Sequence, residues 1–331
     1  MHHTRTLTDP PSLSPLLARG ALLSPCKSLR LPRTAAGYDA DADAAIGPAR
    51  STRFPRLALP GVRIDLVRLA AYERVCGFPT GEDAVPLTYP HVLGFPLAMR
   101  IMSGRDFPLP LLGLVHTSIE ITRRRRLPAT GEYEITVYVD ELAPHRRGTS
   151  ATVVTEVRDG SGYEGGAGGG GGRGVAWESR STYLARHRRG EDARTGGSER
   201  PREEREPLPA VAEWRLAGDV GRRYGAVSGD RNPIHLHPLG ARLFGFPRAI
   251  AHGMWTVARC LAEHGTPPAA LVRAEFRAPV PLPSTVTYAA DGQAWGGFEL
   301  RSGGLHTSAD GAPDPGGERL HVRGYVYPLV A

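Results

Sequence analysis

Three stretches of this chain occur twice in the same order, and any fold has to honour that duplication. Tyr72-Glu-Arg-Val-Cys-Gly77 matches Tyr224-Gly-Ala-Val-Ser-Gly229. Pro86-Leu-Thr88 matches Pro233-Ile-His235, and Gly94-Phe-Pro-Leu-Ala-Met99 matches Gly245-Phe-Pro-Arg-Ala-Ile250. A repeat of this length indicates two copies of one domain and not a solenoid of short units. The 331 residues are enough for two domains of ordinary size.

Hydrophobic periodicity gives both copies the same element order, helices and then strands. In the first, Leu66–Val75 and 91–102 have helical spacing. Val115–Thr122, Glu132–Asp140, Thr149–Arg158 and Val175–Arg186 come next as strands rich in β-branched and aromatic residues. In the second, Arg222–Ser228 and Ala249–Glu263 read as helices. Leu271–Arg277, Ser284–Asp291, Phe298–Arg301 and Arg319–Tyr327 read as strands. Helix followed by antiparallel strands, twice over, is an α+β class in which each sheet wraps a helix.

This pattern divides the chain into four segments. Residues 1–57 are a partly irregular N-terminal arm to which no element is assigned. Residues 58–186 are the first copy, with a glycine-rich insert at 160–174. Residues 187–207 are a charged linker, and 208–331 are the second copy. The insert lacks the Gly-Lys-Ser/Thr ending of a phosphate loop, so it reads as a hairpin extension. The linker has too few apolar side chains to offset the entropy of ordering it.

The formal charge of +7 and pI near 9.6 raise the question of nucleic acid. Lys27 is the single lysine, and the arginines do not interleave with aromatic residues in a stacking pattern. A solvated surface, with a local anion site for a phosphate-bearing substrate, accounts for the charge without a nucleic-acid partner. Cys26, Cys76 and Cys260 are far apart and form no Cys-x-x-Cys pair, which fits free thiols in a reducing compartment. No apolar run reaches the ~18–20 residues of a membrane helix. Pro15 and Arg19 interrupt Leu13–Leu23, the nearest approach to a signal segment. A cytoplasmic protein without membrane attachment is expected.

The two copies differ where reactive groups would sit. The second has Gly229-Asp230-Arg-Asn232-Pro233-Ile-His235; the first has Glu82-Asp-Ala-Val-Pro-Leu-Thr88, with Thr88 at the histidine position and no asparagine. Gly229 permits a backbone turn that a side chain would hinder, and Pro233 stiffens the segment. Such a turn can aim Asp230 and His235 at one small volume, where a carboxylate and an imidazole sharing a water divide proton removal and delivery. That division contributes on the order of 10²–10⁴-fold in rate. Asn232 supplies an amide to orient either group. An Asx turn capping a helix is the plainer account of Asp-x-Asn-Pro.

Tyr224 to His235 closely resembles the signature of the MaoC-like, R-specific enoyl-CoA hydratases and related 3-hydroxyacyl thioester dehydratases. Phe244-Gly-Phe-Pro-Arg-Ala-Ile-Ala-His252-Gly253-Met254 resembles the family's second block. The resemblance is strong over about 208–331 and weaker over 60–186. It implies a double hotdog, two curved antiparallel sheets each wrapped around a central helix, with one degenerate half. It further implies an Asp230 base, a His235 that relays or delivers the proton, and an orienting Asn232. The Gly253 N–H would polarise the thioester carbonyl. Coenzyme A or carrier phosphopantetheine would enter as part of the substrate, with no separate cofactor. The substrate implied is trans-2-enoyl-CoA, or a (3R)-hydroxyacyl chain on an acyl-carrier protein. A non-catalytic acyl-thioester binding subunit and a thioesterase are the readings from other classes. Two hotdogs in one chain allow a monomer as well as a homodimer.

Other candidates have two readings each. His252 is either a hydrogen-bonded core residue or, with Met254, part of the substrate pocket. Arg123 and Arg126, in Arg123-Arg-Arg-Arg126, form either a solvated strand end or an anion site for coenzyme A or carrier-protein phosphates. His235-x-His237 hints at a metal, but spacing places no third ligand, so no metal is expected. Val92–Met99 suits either the wall of an acyl-tail pocket or a domain interface.

Overall fold

The computed structural model describes residues 4–30, 54–160, 174–187, 206–293, 295–303 and 318–329. Residues 161–173 of the glycine-rich insert and 188–205 of the charged linker lie outside these. The first copy runs β2 (Arg56–Arg63), α2 (Leu66–Cys76), α3 (Tyr89–Met102), β3 (Leu114–Arg123), β4 (Glu132–His145), β5 (Gly148–Asp159) and β6 (Val175–Arg186). The second runs β7 (Ala210–Leu216), α4 (Val220–Ser228), α5 (Pro233–Leu236), α6 (Pro238–Leu243) and α7 (Gly253–His264). It continues through strands β8 (Ala270–Phe276), β9 (Ser284–Ala290), β10 (Gly297–Ser302) and β11 (Arg319–Pro328). Strand order in the first is β2-β4-β5-β6-β3; in the second it is β7-β9-β10-β11-β8. The same permutation appears twice, so the topology repeats, although residues 94–99 lie within α3 whereas their sequence counterpart 245–250 is non-helical and precedes α7. The fold is a double hotdog of the α+β class.

Two compact units make up the chain. One comprises Met1–Arg63, His91–Thr117 and Gly131–Glu206; the other comprises Ile64–Pro90, Ser118–Thr130 and Pro207–Ala331. Segments 64–90 and 118–130 thus fall inside the first sequence copy yet belong to the same unit as the second copy.

In the first unit, the helix residues of α3 pack on the sheet so closely that Gly94 is required. A Cβ there would stand 2.5 Å from the Thr155 methyl on β5. Val92, Leu97, Ala98 and Met99 are buried in this core. The N-terminal arm is more regular than its composition suggests. Strand β1 (Thr4–Thr6) pairs in parallel with β2, and α1 spans Leu13–Arg30. The buried face of α1 is Leu16, Gly20, Ser24 and Lys27, helically spaced but mostly small or polar. Ser24 Oγ accepts the Leu112 N–H at 2.9 Å, and Lys27 Nζ donates to the Gly104 carbonyl at 2.7 Å. Burial lowers the Lys27 pKa to about 8.

In the second unit, β8 pairs antiparallel with β11 from Ala270↔Pro328 to Phe276↔Val322, and also with Ser118–Arg123 of β3. Helix α7 packs on this sheet with Val257, Ala258, Cys260 and Leu261 buried. It begins at Gly253, after the expected start at Ala249. The intervening residues are held extended by Ala251 N–H to Val280 O at 2.9 Å and Leu282 N–H to Ala249 O at 2.7 Å. All three cysteines are free, and no helix is long and apolar enough to cross a membrane among the described residues.

Candidate active site

Helix α4 ends at Gly229, whose φ of 82° and ψ of −6° are left-handed values that favour glycine. The chain then reverses through nested side-chain turns. Ser228 Oγ donates to Tyr224 O at 2.8 Å and accepts the Asp230 N–H at 3.2 Å. Asp230 Oδ1 accepts the Asn232 N–H at 3.2 Å, and Asn232 Oδ1 accepts the Ile234 N–H at 3.4 Å. Pro233 opens α5, where its missing N–H costs nothing. Asn232 is therefore a helix cap: its side-chain oxygen holds α5 and does not reach across to the carboxylate or the imidazole. Of its two sequence readings, the structure carries the Asx turn that caps a helix.

The reversed segment lies directly on α4 because two residues of that helix have no side chain. A Cβ on Gly221 would stand 2.0 Å from the His235 carbonyl oxygen, and one on Gly225 2.8 Å from the Asp230 carbonyl oxygen. Sequence reasoning gave these glycines no weight. Their signal was available in the repeat, where Leu69 and Glu73 occupy the matching places.

His235 is buried, and its Nδ1 lies 2.8 Å from the Ile250 carbonyl. A carbonyl can only accept, so Nδ1 carries the hydrogen and Nε2 keeps a bare lone pair. His252 makes the complementary choice. Its Nε2 lies 2.9 Å from the main-chain oxygen of Asp230, so Nε2 carries the hydrogen. The two rings stack at 3.7 Å between centroids, inclined by 26°, and Asp230 Oδ2 is 3.8 Å from His252 Nε2. Burial lowers the His235 pKa, partly opposed by the Asp230 charge. Burial, reinforced by His235, takes the His252 pKa well below the ordinary histidine value. Two neutral imidazoles beside a part-exposed carboxylate can accept and return one proton.

Ligand atoms of Asp230, His235 and His252 lie within 4.8 Å of one another, so these three could hold an ion. His237, the partner suggested by His-x-His, is exposed and caps α6 instead, its Nδ1 accepting the Leu239 N–H at 3.2 Å.

Gly253 is the first residue of α7, and the helix start has no side-chain cap. First-turn N–H groups of this kind are free for an external acceptor. A Cβ at Gly253 would stand 2.9 Å from the Phe276 ring, so glycine is needed for packing as well. Met254 is 7% exposed and belongs to the core. Arg123 is not an anion site. It is buried, and its guanidinium donates to Pro268 O at 3.1 Å, Pro267 O at 2.6 Å and Thr266 Oγ1 at 3.0 Å. Arg126 is exposed on an open hollow of about 370 Å³ that it shares with Glu82 and Asp83, whose carboxylates oppose a phosphate.

The first copy's helix α2 supplies contacts that sequence reasoning missed. Arg68 Nε donates to Val227 O at 2.8 Å, and Trp255 Nε1 donates to Val75 O at 2.9 Å. Tyr72 meets Tyr224 at 6.0 Å, and Tyr224 meets His252 at 4.9 Å.

Residues 201–294 match the family model described as MaoC like domain. The 3-hydroxyacyl-thioester dehydratase X of Mycobacterium tuberculosis is 38% identical over 255 residues, spanning 76% of this chain and 83% of that relative. The crystal structure of HtdX from the same organism superposes with a TM-score of 0.63 at 34% identity, covering 83% of this chain and 100% of that one. A MaoC-like dehydratase from Phytophthora capsici gives 0.60 at 16% identity over 85% of this chain and 98% of its own, a likeness of fold.

Proposed function

Because this chain belongs to the MaoC-like dehydratase family, we propose that it reversibly hydrates trans-2-enoyl-CoA to (3R)-3-hydroxyacyl-CoA at Asp230 and His235. The broader statement, a hydro-lyase acting on 3-hydroxyacyl thioesters, rests on the 38% identity to a dehydratase of that class. The finer one rests on the tautomer of His235. With Nδ1–H spent on Ile250, its bare Nε2 and Asp230 Oδ2 are two acceptors for the two hydrogens of one water.

In hydration, the water oxygen bonds to C3 as the C2=C3 electron pair moves into the thioester enolate. One proton of that water passes to the acceptor pair, with Asp230 the main base. His235 relays or delivers a proton to C2, so the net addition is one water. The Gly253 N–H faces the developing enolate oxygen, a contribution of ~3 kcal/mol in typical oxyanion sites, with the α7 dipole adding to it. Hydration changes no net oxidation state, so the chemistry calls for no redox group. Dehydration is the same path reversed.

Hydration of short and medium trans-2-enoyl-CoAs, followed by loss of enoyl absorbance, tests this. Asp230→Asn and His235→Ala are expected to stay folded and to lose at least ~10²-fold in turnover. Near-normal turnover in either refutes the assignment, and release of free thiol would instead mark a thioesterase.

A carrier-bound substrate is the second reading, favoured by the surface beside the site. Leu239, Leu243 and Phe244 are exposed at and just after α6, with Arg242 and Arg248 exposed close by. No Asp or Glu occurs from Arg231 to Ala262. An acidic carrier protein suits that mixture better than a small nucleotide does. Comparing kcat/KM for crotonyl-CoA and a crotonyl-carrier, at low and high salt, separates the two.

A further inference from the structure

We propose that His252 is a positioning residue for the hydration step: its Nε2–H holds the main-chain carbonyl of Asp230 while its ring backs His235, so carboxylate and imidazole meet one water. This rests on the function proposed above.

Three observations converge on it. His252 is 2% exposed, so the substrate does not gain its ring by lying on an open surface. One ring nitrogen is committed to Asp230 O at 2.9 Å, whereas the other, Nδ1, has no hydrogen-bond partner among the described residues. Leaving a buried ring nitrogen unpaired is unfavourable, and an apolar side chain of similar size would avoid it. A histidine at this place therefore points to the donor on its other nitrogen. Stacking 3.7 Å from His235, while that ring is tied to Ile250 O, sets the direction of the bare Nε2 lone pair.

His252 also joins the two halves of the site. It precedes Gly253 directly, and its own carbonyl accepts the Thr256 N–H at 3.1 Å in the first turn of α7. One residue thus ties the acid–base turn to the helix start whose N–H would meet the thioester oxygen. A displacement of about 1 Å at such a junction can cost about 10²-fold.

Two substitutions separate holding from filling. His252→Gln keeps an N–H at about the position of Nε2, and His252→Met fills the volume without a donor. The expected result is that His252→Met lowers kcat at least about 30-fold with KM within about threefold, while His252→Gln recovers to within about fivefold of wild type. If Met sustains wild-type kcat, or Gln falls as far as Met, the positioning role is refuted. A change confined to KM would make His252 a substrate contact, which also overturns it. Should neither variant fold, nitrogen-15 NMR of the intact wild-type protein decides. Hydrogen on Nε2 of His252 and on Nδ1 of His235 supports the proposal, and the opposite tautomer at His252 refutes it. The NMR result is independent of turnover, so a protein without hydratase activity would sink the functional reading while leaving the hydrogen bond tested.

Discussion

The turn from Gly229 to His235 and its counterpart from Gly77 to Thr88 begin alike and then part. Both come after a helix carrying a buried tyrosine, and both leave it through a glycine with φ of 82°. Each glycine N–H closes on the carbonyl four residues back, Glu73 O at 2.8 Å and Gly225 O at 3.0 Å. Beyond that point the helices differ. Gly221 and Gly225 leave a bare strip on which the turn from Gly229 to His235 lies; Leu69 and Glu73 fill the same strip on α2. Glu73 is buried, and burial raises the pKa of its carboxyl. Where His235 offers a bare nitrogen, Thr88 accepts the Tyr72 hydroxyl at 2.8 Å, with both residues fully buried. The first copy has the same frame, with the corresponding place closed into core. What distinguishes them is the small-residue face of a helix as much as the carboxylate and imidazole themselves.

The largest expected effect comes from transferring the first copy's bulk to the second. In Gly221→Ala the new Cβ would stand 2.0 Å from the His235 carbonyl oxygen, so the turn must lift off the helix. Turnover is expected to fall at least ~10²-fold, and the melting temperature is expected to drop. Wild-type turnover here would show that the glycine strip does not hold the reactive geometry.

A smaller effect concerns pH, where the copies differ because only the second buries imidazoles in its turn. His235 and His252 both have folded pKa values lowered from the ordinary histidine value of 6.5, chiefly by burial. The unfolded chain binds more protons just below that value, so stability is held above pH 6.5 and falls as the pH drops below it. The acid limb of kcat/KM is expected at a lower pH than an exposed histidine would give, because the bare nitrogen stays unprotonated longer. Chemical denaturation and rate profiles between pH 4 and 8 check both signs. Stability that rises on acidification through this window would contradict neutral buried rings.

The smallest effect is in the closed copy. Thr88→Val removes the acceptor of the Tyr72 hydroxyl at nearly constant volume, for a loss of about 1–3 kcal/mol in stability. Turnover is expected to stay within about twofold. A tenfold loss of rate with an unchanged melting temperature would mean that the first copy still takes part in the chemistry.

Sequence pattern reached the elements whose apolar periodicity is unbroken. Val175–Arg186 has the expected bounds, and Leu66–Val75 is extended only to Cys76. It failed at α1, where the buried face includes Gly20, Ser24 and Lys27 and two prolines interrupt the run. It failed also at β2, where Pro60 and Gly61 fall at a register shift between Leu59 and Val62. At the candidate site the stiffened turn predicted that Asp230 and His235 face one small volume; it left Asn232 between orienting either group and capping a helix, and Arg123 between a solvated strand end and an anion site. Asn232 proves to be a cap, and Arg123 a buried clamp on the segment before β8.

By itself, the order of residues determined that one domain is present twice and that only the later copy retains a carboxylate and an imidazole in a turn. Those are local facts, written in glycine, proline and hydrophobic spacing. Tertiary structure decided which nitrogen of each histidine is bare, which arginine is buried, and how close the turn approaches α4. Each of those depends on a carbonyl or side chain brought from far along the chain, Ile250 to His235, Pro267 to Arg123, His252 to Asp230. No local pattern encodes such a meeting, because the hydrogen bond that fixes it exists only once the chain has packed.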